Sequence, residues 1–171
     1  MQVDYDEMMK KTLPCELKGY RRGFKGFAGT WGGSTATLYK TDDNNDVVVG
    51  TAVKMTMAEV EALDPFEAHP FKYLRQDVKV IAYNLNDETG LFTEPCELDT
   101  QAYIMREEVH NNWKGVPDAY KVACCKTMYT HRKLRGMGDN RDFVLPIYNA
   151  VTKKLEEEFE FKVDEQIEKE I

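Results

Sequence analysis

Glu67 is the side chain in this sequence best placed to move a proton. It follows Pro65 in the stretch TMAEVEALDPFEAHPFKY (residues 56–73), with Phe66, Ala68 and Phe71 as neighbours. A carboxylate delivered on a short turn beside apolar groups loses hydration, and its pKa rises toward the range useful to a general acid or base. A plainly solvated glutamate is the ordinary alternative at such a place. Other chemistry has less support. His69, His110 and His131 are far apart and none forms H-x-x-x-H, so no metal site is expected. Cys15, Cys96, Cys124 and Cys125 show no C-x-x-C spacing and read as reduced thiols of a cytoplasmic protein. The adjacent Cys124 and Cys125 admit a thiol-redox reading beside a packing one.

Two further clusters look chemical and have simpler explanations. Gly23, Gly26, Gly29, Gly32 and Gly33 match neither phosphate-loop pattern, and the last two suit close backbone approach at a strand start. Arg21, Arg22 and Lys25 could form an anion patch, but in an acidic chain they read as a solvated strand edge.

The elements that must position Glu67 follow from local signals. Thr56 and Glu59 have the T-x-x-E spacing of a capping box, and Val60 and Leu63 give the helix they start an apolar face. Pro65 biases Asp64 away from helical geometry and is expected to end that helix. Upstream, Asp4–Thr12 reads as a short helix stopped by Pro14, and Cys15–Phe27 as one strand. Ser34–Lys40 is a clear strand, DDNND (42–46) a hairpin turn, and Val47–Lys54 a central strand buried on both faces. Tyr73–Tyr83 and Cys96–Met105 are expected to pair as a hairpin across a polar loop. Pro117 precedes a helix over Asp118–Arg135. Val151, Leu155, Phe159, Val163 and Ile167 recur every fourth residue, which predicts an amphipathic helix over 150–171.

The 171 residues suit a single domain of class α+β, a small mixed sheet curled into a β-barrel with flanking helices. A net charge of −7 and a pI near 5.1 disfavour nucleic acid as a partner, and no apolar run is long enough for a membrane span.

Several segments in order resemble the gamma-glutamylcyclotransferase family: W-G-G-x-x-A-T-L at 31–38, V-V-G-T-A-V-K-M at 48–55 and L-D-x-x-E at 63–67. Y-x-x-x-x-V-x-V at 73–80, A-Y-I-M at 102–105 and P-x-x-Y-K at 117–121 continue the likeness. The resemblance implies a mixed β-barrel and a reaction without metal or cofactor. A gamma-glutamyl amine compound becomes 5-oxoproline and a free amine, with one glutamate shuttling the proton. Glu67 matches that glutamate, and Tyr73 and Tyr120 match tyrosines lining the substrate pocket.

One departure stands out. The family begins with a strand ending in Y-G-S-N, whose backbone N–H groups hold the glutamyl carboxylate and polarise the reacting carbonyl. This sequence has no Y-G-S-N and opens with Met1 close to where that motif would end. Two expectations follow. Either an upstream segment supplies the loop to an active enzyme, or the protein is a catalytically inactive member serving as a binding or structural module. In the second case a protein partner could add a strand at an open barrel edge.

Overall fold

Gly19 sets the first feature of the architecture. Its φ of +74° breaks the stretch that the sequence presents as one strand. In the computed structural model, which describes residues 11–83, 95–109 and 115–124, β1 is Thr12–Lys18 and β2 is Tyr20–Ala28. Thr12 therefore opens a strand instead of closing a helix, and the rest of that expected helix lies outside the described residues. Pro14 sits within β1 opposite Thr51. It uses only its carbonyl, which accepts the Tyr83 N–H at 2.9 Å, so its missing donor costs no ladder bond there.

β3 (Gly33–Lys40), β4 (Val47–Val53), α1 (Met57–Leu63), β5 (Tyr73–Ala82) and β6 (Cys96–Met105) follow, and residues 118–124 are helical (α2). The rest of the helix expected over Asp118–Arg135, and the one expected over 150–171, lie outside the described residues. The strands make a four-stranded sheet, β4-β1-β5-β6, and a two-stranded ribbon, β2-β3. Each of their ladders is antiparallel. The class is α+β, as expected, but the two sheets are not closed into a barrel among the described residues. The expected β5–β6 hairpin partners do pair, from Tyr73 opposite Met105 to Ala82 opposite Cys96.

Two strand placements differ from expectation. β4 lies at an edge of the four-stranded sheet, and β1 takes an inner position between it and β5. An apolar run reports burial but not sheet order. The DDNND turn is no hairpin, because β3 and β4 belong to different sheets. Its Asp43 carboxylate accepts the Asn45 N–H at 2.8 Å, and Gly19 bonds both Asp46 O and Thr41 N, drawing the two crossovers together.

The core gathers Cys15, Leu17, Val48, Val78, Val80 and Ala82, with Tyr20 and Leu38 of the ribbon packed on it. Burial pushes the Cys15 thiol up to about 11, so it behaves as a small apolar residue. The basic cluster divides. Arg21 pairs with Asp46 at the surface, whereas Lys25 is buried, donates to Arg106 O at 3.0 Å and lies 5.6 Å from the Tyr39 ring centre. The solvated-edge reading therefore fails at Lys25, whose ammonium is held by the chain 81 residues downstream.

Candidate active site

The capping box forms as its spacing requires. Thr56 Oγ1 accepts the Glu59 N–H at 3.3 Å, and Glu59 Oε2 accepts the Thr56 N–H at 2.6 Å. At the other end of α1, Asp64 stays helical (φ −47°, ψ −46°) and donates its N–H to Val60 O. The pre-proline bias is overcome here by that bond and by the ties of the Asp64 carboxylate. Beyond it the chain coils tightly. Phe66 and Glu67 both donate to Leu63 O, and His69 donates to Asp64 O at 2.9 Å. Ala68 adopts φ +51°, a left-handed turn rare for a residue with a Cβ. Its carbonyl accepts both Phe71 and Lys72 N–H at 2.8 Å, which closes the turn back toward β5.

Glu67 is half-buried, though not by the rings the sequence suggests. Phe66 and Phe71 are 87% and 84% exposed. Burial within the fold raises the Glu67 carboxyl above its ordinary value, and Lys72 partly opposes the rise. The Lys72 ammonium is in turn lowered, mainly by burial, and lies 5.5 Å from the Tyr73 ring centre. Glu67 also helps to raise two phenols. Tyr73 is pushed up chiefly by burial, and Tyr103 reaches about 12 through burial and then Asp64. Glu67, Lys72, Tyr73 and Tyr103 thus share one electrostatic neighbourhood.

Tyr73 and Tyr120 meet at β3. Ser34 and Ala36, two apart, turn their backbone groups toward the edge of the ribbon away from β2. Ser34 N donates to Gly115 O at 3.0 Å, Ala36 N donates to Tyr120 Oη at 2.9 Å, and Ala36 O accepts from Tyr73 Oη at 3.0 Å. The Tyr73 hydroxyl also pairs with Thr35 Oγ1 at 2.9 Å, and the Met105 N–H reaches Thr37 Oγ1 at 2.9 Å. The two phenols and the Gly115 carbonyl do for this edge what a further strand would do. Trp31 packs edge-on against Tyr120 with centroids 5.2 Å apart. Burial raises the Tyr120 phenol well above its ordinary value, and it bonds Cys124, whose own thiol is raised by burial. A raised thiol disfavours thiolate, against a redox role for Cys124. Cys125 lies outside the described residues.

The fold thus puts Tyr73 within the electrostatic reach of Glu67, and joins Tyr73 to Tyr120 through Ala36. Sequence reading passed over Lys72, Asp64 and Tyr103, although all three lie within or beside the segments quoted above. A cavity of about 460 Å³ is bordered by α1 and the four-stranded sheet. Its walls include Val48, Leu63, Arg75, Val78 and Tyr103, but not Glu67, Tyr73 or Tyr120. Among the described residues no three His, Cys, Asp or Glu side chains are grouped to hold a metal, and no helix is long and apolar enough to cross a membrane.

The architecture is shared with a known class. A solved structure titled gamma-glutamyl cyclotransferase superposes with a TM-score of 0.54 at 20% identity, over 75% of this chain and 68% of that one. At this identity the likeness concerns the fold. Residues 1–121 match the family described as gamma-glutamyl cyclotransferase, AIG2-like, and the chain belongs to that family. No curated protein matches it in sequence.

Proposed function

We propose that the protein converts a gamma-glutamyl amine compound into 5-oxoproline and a free amine. The observation that carries this reading is the half-buried Glu67 carboxyl, raised by burial and within the electrostatic reach of Lys72 and the Tyr73 phenol. The α-amine of the substrate attacks its own γ-carbonyl, forming the ring C–N bond while Glu67 accepts the amine proton. Glu67 then returns that proton to the departing nitrogen as the original C–N bond breaks, so no water or cofactor is consumed. A carboxyl with a raised pKa is better matched to proton exchange near neutral pH than a fully solvated one. Holding the glutamyl chain folded makes the attack intramolecular, worth up to about 7–11 kcal/mol in favourable geometry. Tyr73 and Tyr120, which match tyrosines of the family's pocket, are assigned to the wall of the substrate site.

The test is incubation of the protein with gamma-glutamyl dipeptides and detection of 5-oxoproline. Product that disappears in Glu67→Gln supports the proposal. One observation favours a second reading: the hydroxyls of Tyr73 and Tyr120 are committed to the β3 backbone, and neither they nor Glu67 line the 460 Å³ cavity. Under that reading the domain is an inactive family member acting as a binding or structural module, and no product forms even at high protein concentration.

A further inference from the structure

We infer that Asp64 and Tyr103 form a clamp that fixes the Glu67 turn to the four-stranded sheet, making both positioning residues for the chemistry proposed above. Tyr103 Oη donates to Asp64 Oδ1 at 2.6 Å and lies 3.4 Å from Val60 O. Arg75 Nε stands 3.6 Å from the same carboxylate oxygen, with the Arg75 and Asp64 side chains 20% and 18% exposed. Arg75 and Tyr103 are opposite one another in the β5–β6 ladder, so one carboxylate ties the end of α1 to two strands at once. The T-shaped packing of His69 on Tyr103, with centroids 6.3 Å apart, holds the far side of the turn against the same phenol.

Only two residues separate Asp64 from Glu67. The backbone bonds from Glu67 N to Leu63 O and from His69 N to Asp64 O leave little freedom between them. Where Asp64 is held, Glu67 is held too. The two halves of the clamp differ in what their loss would expose. Arg75 Nη1 is buried without a hydrogen-bond partner among the described residues, so Asp64 is the anion that compensates this guanidinium. Neutralising Asp64 would leave a buried charge unpaired. Removing the Tyr103 hydroxyl releases the shorter contact and keeps the ion pair and the ring, so Tyr103→Phe is the cleaner probe.

The catalytic consequence rests on the proposed function, but the clamp can be tested without it. In the full-length protein, ¹³C NMR titration follows the Glu67 carboxyl, identified by its absence in Glu67→Gln. In folded Tyr103→Phe the midpoint is expected to fall toward the ordinary carboxylate value as the turn loosens into water. With a gamma-glutamyl dipeptide, kcat is expected to drop on the order of 10²-fold, with a smaller change in KM, as misplacement by about 1 Å would cause. A folded Tyr103→Phe protein with wild-type Glu67 titration and wild-type kcat overturns the inference. If Tyr103→Phe does not fold, Asp64→Glu, which keeps the charge and moves it by one methylene, takes its place with the same expected shift. Wild-type protein that makes no 5-oxoproline defeats the enzymatic reading instead, and the titration alone then decides the clamp.

Discussion

Replacing Tyr73 by phenylalanine removes one oxygen from the seam between β3 and β5. That oxygen lies 3.0 Å from Ala36 O and 2.9 Å from Thr35 Oγ1, and the two side chains are only 8% and 5% exposed. The ring stays, so apolar burial is nearly unchanged and the loss is polar. A part-buried carbonyl and a buried hydroxyl left without this partner cost about 1–3 kcal/mol. In a chain of this length each kcal/mol lowers Tm by about 2–4 °C, so a fall of about 2–12 °C is expected. Urea unfolding of Tyr73→Phe, Thr35→Val and the double variant isolates the pair. The double variant should lose less than the sum of the singles, by about 0.5–3 kcal/mol, because no threonine hydroxyl remains to be orphaned. The Ala36 carbonyl stays unpaired in it, so the double variant should still fall below wild type. Additive effects near zero would refute the claim that this phenol holds the ribbon to the sheet. Wild-type stability with lost turnover would assign the hydroxyl to the substrate instead.

The remaining predictions concern the turn, the strand start and the helix cap. Folding raises the Glu67 carboxyl by burial, so the folded state binds its proton more tightly and stability falls as pH rises from about 4.5 through the raised value. Glu67→Gln lacks that fall. It should melt above wild type at neutral pH and converge with it below pH 4.5, whereas identical melting profiles at all pH would contradict the burial argument. A Cβ at Gly33 would stand 2.6 Å from Pro117 Cδ and 2.7 Å from Gly115 O. Gly33→Ala should therefore cost about 1–3 kcal/mol by overpacking, and an unchanged urea midpoint would show that this approach can relax freely. Thr56→Ala should cost about 0.5–2 kcal/mol by removing the side-chain acceptor of the cap, with Thr56→Ser retaining most of it. Equal midpoints for the alanine and serine variants would rule the cap out as a source of stability.

Sequence alone determined what depends on near neighbours along the chain. The T-x-x-E spacing marks a helix start because both partners lie within one turn, and the capping box is found at Thr56 and Glu59. β6 runs Cys96–Met105, the span its alternation predicts, and the ordered segments pointing to the family lie within the matched residues 1–121. Glu67 stood out because a proline followed a helix with apolar residues beside it. Tertiary structure alone decided how that carboxyl is buried and held. Phe66 and Phe71 face solvent, while Lys72 shares its neighbourhood and Asp64 is anchored by Tyr103, 39 residues away. The break at Gly19, the edge position of β4 and the burial of Lys25 were hidden for the same reason. Burial and sheet order depend on which distant segments pack together, and hydration is lost only where that packing displaces water.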